Sequence, residues 1–311
     1  MHHEHLSAAG AVRRVGSQTD ILGESPLWDD RGQCLYWIDI RRPAIRRLLP
    51  ATGHVDTWEM PELVGCIALT DEGHLLVALS QFIALFDVVS GSLEALARPR
   101  QPVPGHRFND GRCDRQGRFW VGTMHNLTRA PEGVLYRLEG RGELTRMRDG
   151  ICIPNSLAFS PDGRTMYFAD SLRYSLYAYD YDPETGRTGA EHVFATTAEP
   201  AFPDGSTVDA EGFLWNAEFN GARLVRYSPD GRIDRTIAMP VQRPTCCAFG
   251  GPELRTLYVT TTSQKMTEEQ LAAEPLAGAL LALDVGVAGL PESRFALDRR
   301  INCPSIMKTL K

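Results

Sequence analysis

Six turn-forming segments recur along the chain: WDDRG at 28–32, TDEGH at 70–74, DRQGR at 114–118, SPDGR at 160–164, DAEGF at 209–213 and GPELR at 251–255. With Gly32, Gly73, Gly117, Gly163, Gly212 and Glu253 as register marks, the period runs from 41 to 49 residues. That length suits a four-stranded blade and exceeds most helical repeats. Each mark is followed by a run rich in aromatic and β-branched residues, namely CLYWIDI, HLLVALS, RFWVGTM, TMYFADS, FLWNAEF and TLYVTTT, as a strand requires.

A third strand follows in every unit (AIRRLLP, IALFDVV, GVLYRLE, SLYAYDY, ARLVRYS, GALLALD), and a shorter fourth is visible as VDTWEM, EHVFA and SRFAL. Helical periodicity is confined to TEEQLAAE at 267–274, where Thr267 can cap the amino end and Glu268 and Glu269 suit the first turn. The expectation is an all-β, six-bladed β-propeller with four antiparallel strands per blade, a ring that leaves few exposed sheet edges. Residues 11–311 should form this one domain after a disordered tail at 1–10, with Val12 to Gly16 pairing with the last blade to close the ring.

The bulk numbers narrow the function classes. Of 311 residues, 43% are hydrophobic and 23% charged, enough apolar content for a substantial core. A net charge of −6 argues against general affinity for nucleic acid or anionic membrane and leaves small molecules as partners. Seven scattered cysteines with no C-x-x-C pair suggest neither a disulfide framework nor a zinc cluster. The longest apolar run, from Gly278 to Leu290, is broken by Asp284 and is too short to span a bilayer, and the start has no apolar core of signal-peptide length. A monomer in the cytoplasm is the expectation. His2, His3 and His5 stand in the expected tail, where histidines are more often incidental than metal-binding.

Eight residues before each mark lies a column that reads Glu24, Gly65, Asn109, Asn155, Asp204 and Thr245. It falls at the start of each first strand, and the innermost strands of a propeller line its central channel. Four residues before each mark the column is apolar instead: Trp28, Leu69, Cys113, Phe159, Val208 and Phe249. Two carboxylates and two carboxamides from separate units thus share one depth. Oxygen donors of this kind suit one hard divalent cation, calcium, magnesium or manganese, with zinc or iron less favoured by ligand type. The other reading of the same residues is that they cap strand starts and solvate the channel.

The stretches LGESPLW at 22–28, RFNDGRCDRQGRFWVGTM at 107–124, PNSLAFSPDGRTMYFADS at 154–171, FPDGSTVDAEGFLWNAEFNGARLVRYSPDG at 202–231 and PTCCAFGGPELRTLYVTT at 244–261 resemble the gluconolactonase, or senescence marker protein, family of propeller lactonases, also called regucalcin-like. The resemblance implies that Glu24, Asn155 and Asp204 bind a metal ion, and that Arg107 and Asn109 contact the oxygens of a sugar lactone. It implies a further role for Asn109 as a fourth ligand, directly or through water. The chain departs from the animal members after its GTM stretch, where they carry a substrate-contacting Glu and this sequence has His125 and Asn126. Bacterial members acting on pentonolactones are more similar there, so arabinonolactone is expected ahead of gluconolactone.

A lactone needs its carbonyl polarised and a hydroxide delivered, which a metal with open positions can do. Asp204 is assigned two roles, ligand and base for the attacking water. Arg107 orients the lactone and steadies the oxyanion, and His125 is a candidate substrate contact or proton shuttle. Asp110, beside Gly111, is read as holding the turn that aims Asn109. Adjacent Cys246 and Cys247 are read as buried rather than catalytic. No G-x-S-x-G elbow and no glycine-rich phosphate loop is present, which removes serine-esterase and nucleotide readings. A metal-dependent phosphotriesterase and a non-catalytic calcium-binding propeller remain as alternatives, because fold alone separates none of the three. An apolar rim would favour the phosphotriesterase and a polar one a hydroxylated substrate.

Overall fold

A computed structural model describes residues 10–298. The strands form six four-stranded antiparallel sheets in a ring, the six-bladed β-propeller expected from the repeat. The inner strands are Gly23–Asp29, Val64–Leu69, His106–Cys113, Pro154–Phe159, Phe202–Val208 and Pro244–Gly250. Within five of the blades the chain runs outward strand by strand. The repeated turn has a local cause. Three residues before the mark, a side-chain oxygen accepts backbone N–H groups ahead of it. Asp114 takes those of Gln116 and Arg118, Asp209 those of Glu211 and Phe213, and Ser160 those of Arg164 and Thr165. The side chain thereby reinforces a turn that the backbone also closes, Gly117, Gly163 and Gly212 donating their N–H groups to the carbonyl oxygens of Asp114, Ser160 and Asp209. In the second to fifth units the glycine at the mark supplies the positive φ that ends the turn, for example 81° at Gly117 and 86° at Gly212, whereas Gln33 and Leu254 carry it in the first and last.

The apolar column does pack between blades: Trp28, Leu69, Cys113, Phe159, Val208 and Phe249 are all buried. Cys246 and Cys247 are both buried as well, the second inside the cluster between the last two blades. The short helix forms at Glu268–Ala273, with Thr267 accepting from the Gln270 N–H and the Gln270 side chain accepting from Thr267 N.

The two ends of the ring differ from expectation in one respect. The N-terminal strand Arg13–Val15 does pair with Leu280–Asp284 of the last blade, so it supplies that blade's fourth strand. SRFAL at 293–297 therefore is not a fourth strand. The chain after Asp284 instead crosses the face where the repeated turns lie. Gly289 bridges to Asp209, Phe295 bridges in parallel to Thr70, and Arg294 pairs with Asp29 and Asp30. A blade edge already occupied offers SRFAL no hydrogen-bonding partner, and fully buried Phe295 is better satisfied beneath the second and third blades. His2, His3 and His5, with the rest of residues 1–9, lie outside the described residues, as does Cys303; Gly10 donates its N–H to Asp284 O. No helix among the described residues is long and apolar enough to cross a membrane.

Candidate functional site

All six inner strands carry a register shift near their first residues. Pairing passes from Glu24 opposite Ile38 to Leu27 opposite Tyr36, from Asn155 opposite Ala169 to Ala158 opposite Tyr167, and from Pro203 opposite Glu218 to Ser206 opposite Asn216. The same irregularity follows Phe108, Val64 and Pro244. Each shift inserts one extra residue, which bends the strand and re-aims the side chains beside it. Ser25 and Ser156, at φ 49° and 58°, carry the left-handed backbone of two of these bulges. Because the bulge recurs in every blade, counting back from the turn reaches the same depth each time.

That depth is the floor of a pocket at the end of the channel opposite the repeated turns, about 710 Å³ including the part open to solvent, within the range of small-molecule sites. Glu24, Asn109, Asn155, Asp204 and Arg107 all line it. Gly65, at the equivalent place in the second blade, leaves no side chain there because a Cβ would lie 2.3 Å from Phe108 O. The Thr245 hydroxyl is turned aside to Gly23 O at 2.6 Å.

The carboxamides are fixed by their partners. Asn155 Nδ2 donates to Ser171 Oγ at 2.8 Å, and that hydroxyl donates on to Pro203 O at 2.7 Å. Asn155 Oδ1 accepts from Asn109 Nδ2 at 2.9 Å, and Asn109 Oδ1 accepts from Arg107 Nη1 at 2.7 Å. Asn109 thus joins the arginine to Asn155, with its own oxygen engaged by the guanidinium. Below Asp204, its backbone oxygen accepts from Ser156 Oγ and from Asn216 Nδ2, which pins the strand at that residue.

The carboxylates strain one another. Burial, then the negative charge of Asp110, pushes Glu24 up to about 8. Asp204 is raised well above the ordinary carboxylate range by burial, then by Glu24 and Asp110. Asp110, also raised by burial, accepts the N–H groups of Gly111 and Leu157, both at 2.8 Å. It holds the bulge, as expected, and adds a third negative charge that the sequence reading did not assign to the site. Arg107, in the same pocket, offsets this negative charge only in part, since both carboxyls stay raised. Among the described residues no group of three or more His, Cys, Asp or Glu gathers to hold a metal. The donor set is instead two carboxylates with a carboxamide oxygen, all hard oxygen ligands. A divalent cation fits that chemistry, and Glu24, Asn155 and Asp204 are the residues that could hold it.

His125 does not line the pocket. Its Nδ1 accepts the N–H groups of Leu127 and Thr128, at 3.2 and 3.0 Å, and its ring packs against His106. Occupied in shaping this loop, it is not brought to the substrate face; Asn126 and Arg129 from the same loop are. Arg41, Gln264, Phe202 and Phe219 also line the pocket without having been singled out in the sequence. Only Asp110 carried a signal, as a carboxylate between Asn109 and Gly111.

The chain matches the family model described as SMP-30/Gluconolactonase/LRE-like region over residues 22–263. It is 39% identical to a 6-deoxy-6-sulfogluconolactonase of Pseudomonas putida, covering 92% of this chain and 98% of that protein. It is 38% identical to an L-arabinolactonase of Azospirillum brasilense, covering 94% and 98%. The crystal structure of a calcium-binding protein, regucalcin, from Agrobacterium tumefaciens is similar with a TM-score of 0.88 and 31% identity, covering 92% of this chain and 97% of that one. The chain belongs to the SMP-30/gluconolactonase/LRE-like family.

Proposed function

We propose that this protein hydrolyses a sugar lactone to the aldonic acid, with one divalent cation held by Glu24, Asn155 and Asp204. The observation that carries the reading is the pair of buried carboxylates from separate blades, each raised by burial and by its neighbours' charge, set beside a carboxamide oxygen in one pocket. The lactonase names of the relatives support the reaction class. A bound divalent cation supplies carbonyl polarisation and acidifies water.

The chain's own residues do the rest. Arg107 is buried and donates through Nε and Nη1 to Asn126, Phe108 and Asn109, while its Nη2 makes no hydrogen bond among the described residues. That nitrogen is free to orient an oxygen of the lactone and to steady charge developing on the carbonyl oxygen. Asp204 takes a proton from the attacking water as the new C–O bond forms. The ring C–O bond then breaks as Asp204 returns that proton to the leaving ring oxygen, and the new carboxylic acid gives up its own proton to solvent to become the open carboxylate. Phe202 and Phe219 give the pocket apolar walls. Guanidinium and carboxamide groups at the rim suit a hydroxylated substrate better than the apolar organophosphate of a phosphotriesterase.

The test is acid release from a panel of aldonolactones, pentonolactones included, by chelated protein with single divalent metals added back. Activity restored by metal is expected; no turnover of any lactone with any metal overturns the reading. Asp204→Asn should lose about 10²–10⁴-fold in kcat without a fall in thermal midpoint, since it removes one of several buried like charges. Near-normal turnover would exclude Asp204 as the base.

A further inference from the structure

Buried arginines in this protein are paired with carboxylates: Arg46 with Asp20 at 2.7 Å, Arg118 with Asp114 at 2.8 Å and Arg226 with Asp209 at 2.7 Å. Arg107, also buried, breaks that pattern, and a partly exposed Arg41 and an exposed Arg129 stand with it around the pocket. Among the described residues, Arg41, Arg107 and Arg129 form no direct ion pair. Arg41 Nη1 and Arg107 Nε instead donate to the same neutral oxygen, Asn126 Oδ1, at 3.3 and 3.1 Å, and Arg41 Nε donates to Gln264 Oε1 at 2.7 Å.

The guanidinium groups repel one another across these uncharged acceptors, and Glu24, in the same pocket, offsets that repulsion at Arg107 only in part. Burial, then Arg41, lowers Arg107 to about 10, and burial followed by Arg129 lowers Arg41. Arg129 lines the same pocket from the loop that follows His125. Carboxamides hold the guanidinium planes while leaving the positive charge for something else to neutralise. A planar fork of donors matches carboxylate, phosphate and sulfonate oxygens.

We infer that Arg41 and Arg129, at the rim beside Arg107, form a subsite for an oxyanion substituent on the substrate, so that the preferred lactone carries a negative charge away from its ring carbonyl. This rests on the lactonase reading and narrows its substrate class.

The experiment compares kcat/KM for gluconolactone with that for lactones of the same ring bearing a carboxylate, a phosphate or a sulfonate at the far carbon. At least one charged lactone should exceed the neutral one by about tenfold or more, with the advantage shrinking as salt screens it; which one does so identifies the oxyanion. In the Arg41→Gln/Arg129→Gln double variant that ratio should fall about tenfold. Preference for the neutral lactone over every charged one, or a ratio untouched by the double variant, overturns the subsite and leaves the lactonase reading standing. If no lactone is turned over, calorimetric binding of the matching charged aldonic acids decides. Binding by the wild type that the double variant loses supports the subsite while the lactonase reading fails; no binding overturns both. Should the double variant melt early, exposed Arg129→Gln alone carries the same comparison.

Discussion

Ser171 decides which way the Asn155 carboxamide faces. Its hydroxyl is buried, accepts from Asn155 Nδ2 and donates to Pro203 O, so the side chain that would offer Oδ1 to a cation is oriented by a residue that would not touch it. Outer partners of this kind are typically worth 10–100-fold in metal affinity. Ser171→Ala should weaken cation binding by about that factor, read by competition with a chelating dye, with the thermal midpoint of the metal-free protein lowered only slightly. An unchanged affinity would mean that Asn109 alone fixes Asn155. At this scale the sequence was legible where residue type and depth coincide, as at Glu24, Asn155 and Asp204. Ser171 was hidden because a serine ending a strand has many ordinary uses. His125 misled because a loop histidine near a site looks the same whether its ring meets substrate or, as here, accepts the N–H groups of its own loop.

At the scale of the strand, the bulge in each inner strand makes the site. It lets one residue per blade turn into the channel while the apolar positions further along still meet the neighbouring blade. The second blade shows its steric limit: a Cβ on Gly65 would stand 2.3 Å from Phe108 O and 2.9 Å from Asn109 N. Backbone cannot yield as a flexible side chain can. Gly65→Ala should therefore cost about 1–3 kcal/mol, measured by urea unfolding, and should disturb Asn109 next to it. A variant as stable as the parent would show that the blades are not in such close contact. The bulge could be counted through without being seen, because its one extra residue is present in all six units. The rim loops offered no such repeat. Arg41, Arg129 and Gln264 come from connections of unequal length, and only the folded ring sets them around one opening.

Across the whole molecule, the ring is held from both ends of the chain. Arg13–Val15 completes the last blade, and the segment after Asp284 runs under the channel on the side away from the pocket. That segment is tied to five blades: Arg294 to Asp29 and Asp30, Phe295 N to Leu69 O at 2.7 Å, Ala296 N to Gly117 O at 3.0 Å, Ala210 N to Ala288 O at 2.9 Å and Gly289 N to Leu254 O at 2.7 Å. Glu292 meets Arg112 inside the channel at 3.4 Å. SRFAL looked like a strand because its residues suit one; that the chain's start had already taken the open edge is a long-range fact no local pattern carries. Phe295 is the segment's main apolar anchor, fully buried among residues of the second and third blades. Truncating such a side chain costs about 3–5 kcal/mol, which for a domain of this size lowers Tm by roughly 10 °C. Because the anchor lies at the opposite end of the channel from Glu24 and Asp204, Phe295→Ala should melt early yet keep kcat and KM on its lactone near the parent's values well below the melting range. Loss of activity while the protein is still folded would mean that the floor of the pocket depends on the plug beneath it, and that the two ends of the channel act as one unit.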